Sequence, residues 1–390
     1  MYLSHLSLEY FRNYTRLEAD LPARVHVLSG ANAQGKTNLL ESIYYLSTTK
    51  SPLAGSDREL IGWAAEEEPI PYARVEGLLQ RGGAEHSLSI TLVNDPAETS
   101  NGTPTPLRRQ IRVDGVPRRA IDAVGMLNAV LFLPEDLALV GGPPGGRRRY
   151  LDVTLCQIDP LYCRSLSRYN RVLAQRNALL RQIREGRPNG SQRDYWDEEL
   201  VRLGTYVLDR RLAAVEELGT LAGELHPAMT VTGERLALTY QGTVGAAATD
   251  PDAPTAERFR SALDASRRDE TARGITLVGP HRDDMRFLIN DRDATTYGSR
   301  GQQRTVALSL KLAEVALMRG ATGETPILLL DDVLSELDKA RSRQILGMVS
   351  QAQQVFLTTT DVAYLSEKFL QGAELWEVAE GSLRRLGDTA

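Results

Sequence analysis

Gly30-Ala31-Asn32-Ala33-Gln34-Gly35-Lys36-Thr37 has the spacing G-x-x-x-x-G-K-[ST]. That pattern belongs to loops that cradle the phosphates of a nucleotide. A nucleoside triphosphate is a compact polyanion, so main-chain N–H groups must converge on it, and glycine lets the chain curl tightly enough to aim them. The helix that follows turns its positive end toward the phosphates. Lys36 would reach the β- and γ-phosphates, and the Thr37 hydroxyl would serve Mg²⁺. The flanks agree: residues 24–29 read as a strand and Asn38 opens an amphipathic helix to Leu46. Gly30, Ala31, Asn32, Ala33, Gln34, Gly35, Lys36, Thr37 and Asn38 are thus the candidate nucleotide contacts. Arginine carries nearly all the positive charge, with lysine only at positions 36, 50, 311, 339 and 368. One of these five stands where a compact ammonium is needed.

At 390 residues the chain can hold two or three domains. Its composition, 42% hydrophobic and 25% charged, is that of an ordinary soluble protein, and no apolar run is long enough for a bilayer. Cys156 and Cys163 lack metal or redox spacing, which suits reduced thiols in a cytoplasmic setting. The net charge of −5 does not suggest nucleic acid, so any such contact must come from a local patch.

Strands are expected around residues 6–10, 72–77, 87–92 and 110–115, with Gly82-Gly83 as a hairpin turn. The run Gly141-Gly142-Pro143-Pro144-Gly145-Gly146 is the strongest break and suggests a domain boundary. Helical periodicity then runs from Tyr150 to about Leu218. Pro188-Asn189-Gly190 divides it into two helices, and Gly219 is placed to end it. Residues 275–280 and 285–289 read as strands, and 301–319 as a helix closed by Gly320. The expected architecture is α/β, with residues 1–140 and 271–390 forming a nucleotide-binding lobe and 141–270 a mainly helical insertion.

Ile327-Leu328-Leu329-Leu330-Asp331-Asp332 suits a central parallel strand, apolar on both faces, with two carboxylates at its C-terminal end. Asp331 would hold Mg²⁺, and Asp332 would polarise the attacking water. A helix N-cap pair is the alternative reading. Tyr297-Gly298-Ser299-Arg300-Gly301-Gln302-Gln303 is a second glycine loop opening a helix, either an ordinary helix start or a second phosphate site. In the latter case Ser299, Arg300, Gly301 and Gln302 would serve the nucleotide of another copy of the chain.

Together these stretches resemble the ABC ATPase superfamily. Ser299-Arg300-Gly301-Gln302-Gln303 stands at its signature motif, and residues 335–338 stand at its D-loop. Within that group the resemblance is to the RecF family. It is carried by Phe11-Arg12-Asn13-Tyr14, Pro134-Glu135-Asp136-Leu137, Arg147-Arg148-Arg149, Gln175-Arg176-Asn177 and Gly279-Pro280-His281-Arg282-Asp283-Asp284. The resemblance implies an ABC-type P-loop ATPase head that uses ATP and Mg²⁺, dimerises on ATP and binds double-stranded DNA. It implies action with RecR and RecO at gaps or junctions to place the RecA recombinase. Asp332 replaces the glutamate usual in transporters, so hydrolysis is expected to be slow. Thr358-Thr359-Thr360 occupies the region of their switch histidine.

Residues 147–187 hold ten arginines against three acids, a local balance of +7 that leaves −12 on the rest of the chain. Arg164, Arg168 and Arg171 share one helical face, opposite Tyr162, Leu166, Tyr169, Leu173 and Leu180. With Arg147, Arg148 and Arg149 they are the candidate contacts to DNA phosphates. His281, Asp283 and Asp284 are read as a turn or interface rather than a metal site. A transporter subunit and a chromosome-tethering ATPase are the rival readings. The first lacks its histidine and the second its long heptad arms.

Overall fold

The computed structural model describes residues 1–386 except 96–98, 101–102, 105–106, 188–191, 231–232, 247–252, 335–337 and 350. The expected D-loop (residues 335–338, but for Asp338) and the Pro188-Asn189-Gly190 break lie outside the described residues. The chain divides into two compact units: residues 1–136 with 314–390, and residues 137–313.

The first unit holds two six-stranded sheets. One is antiparallel, in the order Tyr14–Asp20, Tyr2–Phe11, Tyr72–Arg81, Ala84–Val93, Arg108–Val113, Val116–Arg118. Its strands alternate, as a sheet with one face on a core requires: Leu6 and Leu8 are buried where Ser7 and Glu9 are not. The other sheet runs Ala129–Phe132, Ile327–Leu330, Val355–Thr359, Val25–Ser29, Ala373–Ala379, Ser382–Leu386. All of its neighbours are parallel except the last pair. Ile327–Leu330 and Val355–Thr359 are buried at every position, which explains their unbroken apolar runs.

The helix Lys36–Thr48 packs against strands of both sheets. It is buried nearly all round, through Leu39, Leu40, Ile43, Tyr45 and Leu46. Together the sheets and helix form one apolar core.

The second unit is mainly helical. Pro160 breaks the expected first helix into Pro144–Ile158 and Pro160–Arg184. Asp159 caps the second, its side chain accepting the Tyr162 N–H at 2.9 Å, with proline at the first helical position. Gly219 does not end a helix. Arg193–Leu225 passes through it, and the glycine faces Leu238 of the strand Leu236–Gln241. Gly320 likewise lies inside Arg300–Thr322, and Gly323, at φ +74°, follows its end.

Residues 275–280 are not a strand. Their amides are taken by side chains instead: Asn177 accepts from Thr276 N at 2.7 Å and Glu270 from Leu277 N at 2.9 Å. Asp284–Ile289 pairs with Leu236–Gln241. Residues 271–313, expected with the nucleotide-binding lobe, therefore belong to the helical unit, and its boundaries are 137 and 313 rather than 141 and 270.

The helices Pro160–Arg184, Arg193–Leu225 and Thr255–Arg273 meet at Gly204. A Cβ there would lie 2.5 Å from Phe259 Cε1 and 2.9 Å from Tyr169 Cε2, and both rings are fully buried. Gly204→Ala is expected to destabilise the helical unit by about 1–3 kcal/mol through overpacking, despite the gain in helix propensity. Thermal or urea unfolding of the variant beside the native chain measures this, and an unchanged midpoint would contradict it.

Candidate functional site

The parallel strands end on one side of their sheet, and the loop Gly30–Gly35 leaves Val25–Ser29 there. The acidic strand is not its neighbour. Val355–Thr359 lies between them, and Thr358 bridges the gap. Thr358 Oγ1 donates to Asp331 Oδ1 at 2.7 Å and accepts the Asp332 N–H at 2.9 Å. Thr37 Oγ1 donates to the other Asp331 oxygen at 2.7 Å. Asp331, only 8% exposed, is thus held between hydroxyls from two other segments. The helix N-cap alternative for Asp331 does not hold. Asp332 turns out of the strand at φ +49°. Aspartate enters that left-handed region more readily than the longer glutamate does.

Lys36 Nζ donates to the carbonyls of Gly30 and Ala31, at 2.7 Å each, and so folds back across the loop. Burial pushes its pKa down, while Asp332 and Asp331 pull it up. An arriving polyanion would exchange those carbonyls for phosphate oxygens and restore full charge pairing. Among the described residues no group of three or more His, Cys, Asp and Glu could hold a metal ion. One hydroxyl beside one carboxylate suits a magnesium ion that takes its remaining ligands from water and phosphate. Thr37 and Asp331 would hold it.

Asn13, read from sequence only within the family-like stretch Phe11–Tyr14, clamps the loop. Its Nδ2 donates to Gln34 O at 2.9 Å, and its Oδ1 accepts from Asn38 Nδ2 at 2.8 Å. Gly35 sits at φ +116°, and a Cβ there would strike Asn13 Nδ2 at 2.6 Å. Arg12 delivers this turn. Its guanidinium grips the buried Glu41 at 2.8 and 2.9 Å, with the residue itself left-handed at φ +56°. Glu41 also accepts from Ser51. From the other side, Glu380 N reaches Gln34 Oε1 at 2.8 Å and Gly381 N reaches Gln34 O at 3.1 Å.

In the second unit Ser299 caps the helix Arg300–Thr322 reciprocally. Gln302 N donates to Ser299 Oγ at 3.2 Å, and Ser299 N to Gln302 Oε1 at 2.9 Å. Ser299, Arg300 and Gly301 are exposed, as is Tyr297 at 75%.

With this geometry in place, known proteins give the family. The profile of the RecF/RecN/SMC N terminal domain matches residues 2–377. The DNA replication and repair protein RecF of Chloroflexus aurantiacus is 44% identical over 393 residues, covering 98% of this chain and 99% of that protein. The chain belongs to the RecF family of DNA replication and repair proteins. RecF of Staphylococcus aureus is 39% identical over 385 residues, covering 98% and 100%. A solved structure of the recombination mediator RecF with ATP, from the RecFOR pathway, matches with TM-score 0.86 and 31% identity across 99% of this chain and 98% of that one. An Smc head bound to part of ScpA matches at TM-score 0.52 and 14% identity, a likeness of fold alone.

The RecF-type arginine cluster is thinner than the sequence suggests. Arg147 is only 5% exposed. It pairs with Asp284 at 2.7 and 2.9 Å and donates to Gly142 O at 2.7 Å, so it is not available to phosphate. Arg148 is half-buried and donates to Asp283 O, whereas Arg149 is exposed. Arg176, fully buried, is matched by Asp197 and Glu270 at 2.6 Å each, acids that lie outside the arginine-rich stretch 147–187. Arg164, Arg168 and Arg171 are exposed along one face, opposite buried Tyr162, Tyr169 and Leu180.

His281, Asp283 and Asp284 go to separate partners: Tyr169, the Thr243–Tyr240 pair and Arg147. Burial pushes His281, a half-buried ring, down to about 4, so it is neutral near pH 7.

Asn13→Ala removes both ties to the phosphate loop. It is expected to weaken nucleoside triphosphate binding about three- to tenfold, the range for one or two hydrogen bonds, with little change in unfolding temperature. Calorimetric titration beside a thermal melt checks both halves.

Proposed function

We propose that the chain is an ATP-driven switch that grips duplex DNA during recombinational repair. The observation that carries this reading is the joining of Thr37, Asp331 and Thr358 across three parallel strands, with Lys36 folded over the glycine loop beside them, a cradle suited to a triphosphate. The RecF structure solved with ATP supports the choice of nucleotide. In this reading ATP and Mg²⁺ occupy that cradle, and Ser299, Arg300, Gly301 and Gln302 of a second copy close over the γ-phosphate. Two copies then enclose two nucleotides. The exposure of Ser299, Arg300 and Gly301 supports this, because it leaves the positive end of the helix open to a partner.

Asp332 polarises the attacking water, and its short side chain makes hydrolysis slow, so that ATP acts as a timer. Duplex phosphates would meet Arg164, Arg168 and Arg171, with Arg149 beside them. The contact would be indifferent to sequence, since arginines reading phosphate carry no base information. Membership of the RecF family and the RecFOR pathway of its solved relative support action with RecO and RecR, in the cytoplasm, at gapped DNA where RecA is to be loaded. No helix among the described residues is long and apolar enough to cross a membrane.

Sedimentation is expected to show a monomer without nucleotide and a dimer with ATP. Asp332→Asn should keep ATP binding and prolong the dimer, because hydrolysis slows while the cradle survives. A chain that stays monomeric at saturating ATP would overturn the reading, and loss of ATP binding in the variant would reassign Asp332. Reversing charge at Arg168 and Arg171 together should weaken binding to every duplex alike and lower the slope of log affinity against log salt by about 2. Unaltered binding would move the DNA contact off this helix.

A further inference from the structure

The segment that leaves the long helix Arg193–Leu225 grips the Ser299 helix at two points. Glu234 Oε1 accepts from Gln302 Nε2 at 2.8 Å, and His226 Nδ1 lies 2.9 Å from Ser309 Oγ. Gln302 and Ser309 are seven residues apart, two turns along one face. His226 is fully buried, and its Nε2 lies 3.9 Å from Glu234 Oε2. Glu234 is itself placed on both sides. Its N–H goes to Thr230 Oγ1 at 3.0 Å, and the next amide, Arg235 N, goes to Asn290 Oδ1 at 3.0 Å.

A primary amide has one donor end and one acceptor end, and the choice between them is made by its neighbours. A carboxylate can only accept. Glu234 therefore binds the NH₂ end of Gln302 and turns its oxygen toward Ser299 N, where it accepts at 2.9 Å. Ser299 Oγ in turn accepts from Gln302 N, so its own O–H is directed away from the helix. The Gln302 side-chain amide holds the Ser299 main chain, and with it the site from which the exposed hydroxyl projects, so that placing depends on a residue from another part of the fold, 65 positions upstream.

We propose that Glu234 is the positioning residue of the Ser299 loop: through the Gln302 amide it sets the donor that this loop presents to the nucleotide of a second copy. This rests on the dimer reading above and deepens it. Glu234 touches no nucleotide and acts only through Gln302. His226 directly follows the helix packed on the arginine-bearing Pro160–Arg184, and Glu234 lies in the same unit, so the loop is set by the helical unit itself.

The test uses the full chain as wild type, Glu234→Ala and Glu234→Gln. The glutamine variant can still offer an amide oxygen to Gln302. ATP affinity of the dilute monomer is expected to be equal in all three. The ATP-driven association constant should fall about five- to tenfold in Glu234→Ala, the loss of one charge-assisted hydrogen bond, and recover in Glu234→Gln. Amide exchange at residues 299–303 should quicken several-fold in the alanine variant alone. Native association and native exchange in Glu234→Ala would overturn the assignment, as would a glutamine variant that fails as badly as alanine. A wild type that never associates would overturn the dimer reading instead, and exchange at 299–303 would still decide whether Glu234 holds the loop.

Discussion

Burial of the helix Lys36–Thr48 between two sheets is the constraint on which the rest depends. A helix buried on nearly every side, Glu41 and Ser42 included, is fixed by what surrounds it. Here Leu39, Leu40, Ile43 and Leu46 pack into a core contributed by both sheets, so the helix start cannot shift without opening that core. The phosphate loop thus gains a rigid floor. Its N-terminal end opens at the rim of the parallel sheet, where Thr37 meets Asp331. Interiors packed this densely transmit position from one element to the next. The placing of two oxygen-bearing side chains is therefore a by-product of apolar packing.

Polar groups then refine what packing positions. Glu41 is the one carboxylate of that helix, and it is buried. Left alone it would be costly, and with Arg12 it becomes a bolt between the helix and the turn carrying Asn13. Thr358 plays the corresponding part on the sheet, filling the space between two strands that do not touch. In both cases a short polar side chain spends its hydrogen bonds on other segments, so each contact carries long-range order. The helical unit is built on the same plan. Arg176, Arg193, Glu270 and Asp197 form one buried network, and Arg211 with Asp152 and Tyr162 another. Arginine is the residue for such sites because its planar fork serves several acceptors at once. This gives a physical use for the excess of arginine over lysine that has nothing to do with DNA.

Much of the site could be read from local pattern. The phosphate loop, its strand and its helix are contiguous, and so are the apolar run and carboxylates of residues 327–332. A contiguous motif states its own geometry. The reading went astray where a residue's role is set by something distant. Gly219 looks like a helix end because glycine is costly inside a helix, but the helix runs on through it to Leu225. Residues 275–280 alternate like a strand, yet Asn177 and Glu270 satisfy their amides. Arg147 counts as a free charge until Asp284 is seen beside it.

The sequence by itself determined that the chain holds a glycine loop of phosphate-cradling spacing, an apolar strand ending in two carboxylates and a second glycine loop opening a helix, because each is a run of neighbours whose spacing is its chemistry. It also determined which face of Pro160–Arg184 carries arginine, since helical periodicity follows from residue order alone. Only the tertiary structure decided that Thr358 stands between loop and carboxylate, that Asn13 clamps the loop, and that Glu234 orients Gln302. These pairings join residues far apart in the chain. Strand order and packing choose such partners, and no local pattern records the choice.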